Sequence, residues 1–409
     1  MHNPSHGRYA LIGSIVIFMI LLLLRTDPSG GQPAPLRDGA TIRVPQDHST
    51  IQAAIDAAAD GDTVLVAPGV YREELRIEGK QLTLASRYLN TRDPRDIEAT
   101  VLDGSIPRAI LGSRRADAVI DVRPDAGPQT RIVGFTIRGG DDGIRCAAEI
   151  EILHNRIVAN RDGIDYESGG GTCRYNVFEE NEDDAVDLDD ACEATIEDNL
   201  IRNNDDDGIE IRLQNFRGPG LTIVIRGNRI LGNREDGIQI IDYPGKSDRL
   251  IRIERNLIAD TAMAAIGVMA DANTKEDYQA ADVPERVEIV GNTLANNHYG
   301  ITGGDSVVAI NNVIVGTKMT AVKKVDGGSI LAFNLLWNNG DDNDGSNLDA
   351  ATTLRLDPRL GDDYRPVPGS PCLDAGAARF ERDGQLLMAI PNDSYVGRAP
   401  DLGAFEAAE

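Results

Sequence analysis

One phrase recurs from Gly134 to Asn339, roughly Ile-x-x-Asn-x-Ile-x-x-Asn-x-Asp-Gly-Ile-x-Ile, so a single short unit is stacked on itself. Its ladder asparagines fall at Asn155, Asn176, Asn199, Asn228, Asn256, Asn292, Asn312 and Asn334, spaced by 21, 23, 29, 28, 36, 20 and 22 residues. A period of this length filled with short apolar alternations specifies a β-solenoid, in which each repeat buries its apolar face only against its neighbours. Such a body grows along one axis, so 409 residues do not require several domains.

Aligning the repeats on the small residue after the acidic turn gives Gly143, Gly163, Ala185, Gly208, Gly237, Ala265, Gly300 and Ala321. Strand alternation then points the next residue inward, and Ile144, Ile164, Val186, Ile209, Ile238, Ile266, Ile301 and Val322 build an aliphatic column. The asparagines read as scaffold, because Asn tolerates left-handed backbone angles and its amide can bond to the layers above and below.

The charge is uneven. With 41 basic against 66 acidic residues the chain carries −25, which repels nucleic acid and anionic lipid. Residues 160–210 alone hold 18 acidic and three basic residues. Asp162, Asp184, Asp207 and Asp236 precede the turn residue, and Asp165, Asp187 and Glu210 point outward two residues after it. Stacking brings each column to a spacing of about 4.8 Å. Carboxylates that close repel by about 1 kcal/mol in water and by more where they are shielded. Raised pKa values, arginine partners or a bound cation would relieve the repulsion. Oxygen-only ligands favour Ca²⁺ among metals; a solvated face of turn-forming aspartates is the alternative.

At the N-terminus Ala10 to Leu24 is an uninterrupted apolar run between Arg8 and Arg25, followed by the Pro/Gly-rich stretch Thr26 to Leu36. It reads as an export element, either a signal-peptide core or an uncleaved membrane anchor, being short of the roughly 20 residues a spanning helix needs. Both put the folded part outside the cytoplasm, periplasmic, secreted or anchored, and leave this segment as its one membrane contact. Cys146, Cys173, Cys192 and Cys372 allow disulfides there. Cys173 and Cys192, on neighbouring repeats, are the best-placed couple, with buried free thiols the alternative.

Residues 41–85 combine a strand, a helix Ile51 to Ala58 capped by Ser49 or Thr50, and two alternating strands. With its Gly-Asp-Thr-Val-x-Val-Ala-Pro-Gly-x-Tyr run, this segment resembles the start of pectin-lyase-like right-handed parallel β-helix proteins, whose first coil is closed by a capping helix. The tail from Leu354, with DPRLGDDYRPVPGSPCLDAGA and a closing DLGAFE, resembles the C-terminal segment of bacterial surface β-helix proteins. The expectation is therefore an all-β, single-stranded right-handed parallel β-helix, a monomer divided as 1–25 export element, 26–39 linker, 40–348 β-helix and 349–409 C-terminal cap.

Asn160-Arg-Asp162-Gly163-Ile164-Asp165 and, one coil later, Asp183-Asp184-Ala185-Val186-Asp187-Leu188 resemble the family 9 polysaccharide lyases, whose pattern runs Asp-Gly-Phe and then Asp-Asp-Gly-Trp-Asp-Leu. The resemblance implies that Asp162, Asp183, Asp184 and Asp187 hold a calcium ion facing a substrate uronate, whose α-proton it makes easier to abstract. The family's catalytic lysine has no counterpart, since the matching positions read Glu210 or Gln239. Arg212, with a salt bridge to Asp189 as its plain role, and Lys246 in the loop after the next coil are the substitutes. The same segments are similar to polygalacturonase-type inverting hydrolases, but the expected Gly-His-Gly is replaced by Asp206-Asp207-Gly208. His154 and His298 read as structural, and Tyr166, Tyr243 and Trp337 as packing aromatics. These expectations define an extracytoplasmic protein acting on acidic polysaccharide, as a calcium-dependent lyase, as a non-catalytic glycan- or calcium-binding envelope protein, or as an inverting hydrolase.

Overall fold

A computed structural model describes residues 39–407, except 109–111, 215, 271, 273, 276, 277, 279 and 280. The apolar run Ala10–Leu24 and the stretch Thr26–Leu36 lie outside the described residues. Among those described, no helix is long and apolar enough to cross a membrane.

Each coil contributes one strand to each of three parallel sheets, of 12, 11 and 11 strands, and the chain winds through them in order as a right-handed parallel β-helix. The first sheet runs from Thr41–Val44 to Ile330–Ala332, the second from Gly69–Tyr71 to Leu335–Trp337 and the third from Leu75–Ile77 to Asp341–Asp344. In the third sheet Ile144, Ile164, Val186, Ile209, Ile238, Ile266, Ile301 and Val322 pair in one unbroken row. All are buried, so this aliphatic column is part of the core. Truncating one such side chain to Ala typically costs 2–5 kcal/mol, roughly.

The open lower end of that core is covered by the helix Ile51–Ala57, which buries Ile51, Ala54 and Ile55. Thr50 is its cap, accepting the Ala53 amide at 3.2 Å. Glu73 accepts the Ile51 and Gln52 amides at 3.0 Å each, adding a negative charge where the helix dipole favours one.

The asparagine ladder is a continuous hydrogen-bonded stack. Asn228 Oδ1 accepts both the backbone N–H and the side-chain amide of Asn199 at 3.0 Å, and its own Nδ2 donates to Ile196 O at 2.8 Å. The left-handed conformation sits one residue earlier than expected. His154, Tyr175, Asp198, Arg255, Asn311 and Phe333 have φ between 53° and 61°, with glycine at 227 and 291. The asparagine is used for its amide, and its predecessor turns the chain. A second ladder five residues on, Asn160, Asn181, Asn204 and Asn233, does the same at the next corner. Asn228→Ala would strand the Asn199 N–H and the Ile196 carbonyl in a dry interior. We expect it to lower stability by about 1–3 kcal/mol in denaturant unfolding, without altering the strand content seen by circular dichroism.

His154 is held by this turn geometry, half-buried, with Nδ1 3.2 Å from the Tyr88 hydroxyl and its ring stacked on Tyr175. All four cysteines are buried and free, so the Cys173–Cys192 bridge does not form. Burial pushes the Cys146 thiol up to about 12, which removes its reactivity near neutral pH.

The C-terminal segment does more than cover the last coil. Leu348 and Leu354 bridge to Leu331 and Leu335 at the end of the core. The antiparallel pair Arg379–Arg382 and Gln385–Ala389 and the final turn then run back along the solenoid. Gly403 N–H donates to Asn311 O at 2.9 Å, Ala404 N–H to Thr293 Oγ1 at 2.9 Å, and Arg255 pairs with Glu406 at 3.4 Å.

Candidate metal centre

The outer face of the third sheet gathers the acidic residues because the repeats are in register. Arg145, Asp165, Asp187, Glu210 and Gln239 are direct neighbours on successive strands. At the preceding turn a second column climbs the same face through Asp162, Asp184, Asp207 and Asp236. Each carboxylate accepts the backbone N–H of the next coil: Asp162 Oδ1 from Asp184 at 3.3 Å, Asp184 Oδ1 from Asp207 at 3.0 Å, Asp207 Oδ1 from Asp236 at 2.6 Å and Asp236 Oδ1 from Ala264 at 2.6 Å. One oxygen of each aspartate thus secures the turn.

Four sets of three carboxylates have oxygens within 4.8 Å of one another among the described residues. They are Asp165, Asp187 and Asp189; Asp184, Asp187 and Glu210; Asp183, Asp184 and Asp206; and Asp206, Asp207 and Glu235. The second is the most enclosed, its members only 5%, 7% and 4% exposed. Asp187 Oδ1 is buried and accepts no hydrogen bond. A buried carboxylate oxygen without a donor is costly, and it faces a set of oxygens suited to a hard cation.

Arginines line both edges of this strip. Arg161 contacts Asp162 at 2.6 Å and Asp183 at 2.8 Å, and Arg145 contacts Asp142 at 2.6 Å. Arg212 is in close contact with Glu210, 3.7 Å from Asp187 and 3.8 Å from Asp189. They do not neutralise the middle. Burial, reinforced by the Glu210 carboxylate, pushes Asp187 up to about 9. Burial also pushes Asp165 up to about 7 and outweighs the Arg161 guanidinium to lift Asp162 to about 7. Burial beside other carboxylates also pushes Asp184 and Asp207 well above the ordinary carboxylate range.

The four aspartates named from the sequence do not form one cluster. Asp184 joins Asp183 and Asp206 on one side and Asp187 and Glu210 on the other, whereas Asp162 belongs to no set of three and faces Arg161. Glu210, on the acidic outward column that the sequence marks for a cation, joins Asp184 and Asp187. Asp206 is the member that sequence reasoning misses, although its signal is present, since Asp205-Asp206-Asp207-Gly208-Ile209-Glu210 repeats the Asp183-Asp184 turn one coil on. Arg212 is ion-paired to Asp189, as its plain role anticipated, and to two further carboxylates that raise its pKa. Lys246 is exposed in the loop after Ile238–Ile241, with no ion pair among the described residues.

The sequence profile of the family described as "Periplasmic copper-binding protein (NosD)" matches residues 118–297. No curated protein matches the chain. Among solved structures it is similar to a pectate lyase, Pel9A, at 15% identity and a TM-score of 0.48, covering 87% of this chain and 90% of that one. It is also similar to the catalytic unit of a GH87 α-1,3-glucanase from Streptomyces thermodiastaticus, at 19% identity and 0.39, covering 80% and 71%. A third is the A-module of the mannuronan C-5 epimerase AlgE6 from Azotobacter vinelandii, at 18% and 0.39, covering 75% and 94%. The chain is a right-handed parallel β-helix, and its middle coils, residues 118–297, are similar to the NosD family.

Proposed function

We propose that this protein is an extracytoplasmic receptor for acidic polysaccharide, which it engages through a calcium ion at Asp184, Asp187 and Glu210. The observation that carries the reading is the buried, unpartnered Oδ1 of Asp187 inside a set of three carboxylates. Asp183 and Asp206 extend the oxygen set around Asp184. When bound, calcium would neutralise these groups and leave ligand positions for a uronate carboxylate and its hydroxyls. That resolves the conflict between a chain of charge −25 and an anionic ligand. Arg212 and Arg161 hold the outer carboxylates in place as fixed counter-charges.

Location outside the cytoplasm is supported by the apolar N-terminal run and by the periplasmic description of the matched family. Copper, which that description names, suits imidazole and thiolate donors better than this set. No histidine or cysteine joins any of the carboxylate groups among the described residues.

Elimination is the second reading, favoured by the paired-coil motif at Asp162 and Asp183–Asp187. It lacks a proton acceptor: Arg212 is a permanent cation among three carboxylates, and Lys246 is tied to none of them. The discriminating experiment incubates the protein with pectate, alginate and neutral glycans, with calcium, copper or chelator. Calcium-dependent binding without new products is expected. Unsaturated products absorbing in the ultraviolet would replace the receptor by a lyase, and new reducing ends without them by a hydrolase. Retention of glycan in chelator would remove calcium from the reading.

A further inference from the structure

The row of turn residues that carries Asp183, Asp206 and Glu235 does not stop at the acidic coils. Glu235 N–H donates to Asp206 O at 3.2 Å, Met263 N–H to Glu235 O at 3.2 Å, His298 N–H to Met263 O at 3.0 Å and Met319 N–H to His298 O at 2.9 Å. One edge of the third sheet therefore changes from carboxylate to aromatic and thioether over three steps. The neighbouring rows change with it. The row of Asp184, Asp207 and Asp236 reaches Ala264 and Tyr299, which pair directly. The row of Asp187 and Glu210 reaches Gln239, Gly267 and, through Thr302, Lys323.

At this far end the side chains form a platform. His298 meets Tyr299 edge to face at 5.0 Å, and Tyr278 supports Tyr299 from another side at 5.1 Å and 60°. The Lys323 ammonium lies 5.0 Å from the Tyr299 ring centroid. Lys323 makes no ion pair among the described residues, whereas its neighbour Lys324 reaches Asp344 at 3.6 Å. Met319, which follows His298 on the next coil, is 47% exposed. His298 and Tyr299 are half-buried, each keeping part of its surface for a ligand.

We infer that His298, Tyr299, Met319 and Lys323 form a second subsite for the same acidic glycan, placed three to five coils beyond the calcium centre. The inference rests on the receptor reading and names what it lacks, a determinant of chain length. A sugar presents an apolar C–H face that suits the negative face of an aromatic ring. Its carboxylate suits an ammonium that rests on the Tyr299 ring and has no carboxylate partner among the described residues. At about 4.8 Å per coil the two ends lie roughly 14–24 Å apart, so only an oligomer of several units reaches both. Calcium would select for charge at one end, and the platform for length at the other.

The test compares galacturonate dimer and hexamer, with mannuronate oligomers as a second series, by calorimetric titration at fixed calcium. The wild type is expected to bind the hexamer at least about tenfold more tightly than the dimer. The double variant His298→Ala/Lys323→Gln should lose most of that advantage, with dimer affinity and calcium titration unchanged. Lys323→Arg should keep hexamer affinity, and equal melting temperatures would show that the variants are folded. If wild type binds both oligomers equally, or the double variant keeps the advantage or weakens both alike, the subsite is wrong while the calcium centre stands. If wild type binds calcium but no oligomer, the receptor reading fails and the subsite with it.

Discussion

Calcium is expected to raise the melting temperature of the wild-type protein in buffer at pH 8 by about 5 °C, and Asp187→Asn to abolish the rise. A ligand that binds only the folded state stabilises it by about 2.7 kcal/mol at a hundredfold excess over its dissociation constant, which sets that scale. Asp187 is the decisive position because its Oδ1 is buried without a donor, whereas Asp184 Oδ1 is already engaged by the Asp207 amide. Asparagine keeps the shape and removes the charge that Asp187 would offer a cation, in a set in which Asp184, Asp187 and Glu210 lie within 4.8 Å. The variant without calcium should melt above the wild type without calcium, because at pH 8 the folded wild type must hold on Asp187 a proton that the unfolded chain has released, a cost asparagine does not carry. Opposite signs in the two conditions distinguish a metal ligand from a residue needed for packing, which would lower both. Asp141→Asn, at a half-exposed carboxylate outside all four sets, should leave the calcium response intact. A wild type that ignores calcium, or an Asp187→Asn protein that keeps the full response, would end the proposal.

The architecture was legible because a solenoid writes its contacts at a fixed period. Ile144 to Val322 could be placed on one row from alternation alone, since a one-residue slip would turn every one of them outward. Other features depend on what lies across a layer. The second asparagine column, at Asn160, Asn181, Asn204 and Asn233, is in the recurring phrase, but its role rests on the depth of the corner. The positive φ at Tyr175 and Phe333 could not be read from residues that seldom adopt it. For the acidic face the sequence supplied the columns but not the grouping. Asp162 matches a motif, yet the arginine next to it in the chain reaches its carboxylate. Asp206 stands beside Asp183 and Asp184 because its turn repeats theirs 23 residues later, a proximity that the motif on either coil alone does not show. A motif records which residue types occur on one coil, while a metal centre on a β-helix is assembled between coils.

Without calcium, stability is expected to fall as pH rises from about 4 to about 9, the reverse of a protein whose carboxylates are held by ion pairs. Unfolded aspartate titrates near 3.9. In the folded protein Asp162 and Asp165 are pushed up to about 7 and Asp187 to about 9, so the native state holds protons that the unfolded chain has released. A group raised in this way contributes stability that is fully present below the unfolded value and is lost as pH passes through the folded value. Each unit is worth about 1.36 kcal/mol, so even two units retained across the cluster amount to about 3 kcal/mol between pH 5 and 8.5. Glu179 acts in the opposite sense: burial raises it, but hydrogen bonds from Arg202 and Arg156 outweigh that and hold it low. Its contribution is lost only in more acid solution, outside this window. Melting curves in chelator from pH 5 to 8.5 measure the slope, and a rise towards pH 8.5 would contradict it. The same series with saturating calcium should flatten, because an ion replaces the protons as the neutralising charge. By linkage the difference between the two slopes counts the protons released when calcium binds. If the four overlapping sets act as one centre, Asp184→Ala should reduce that count by more than one proton, since Asp184 is shared by the two sets that Asp206 and Glu210 complete.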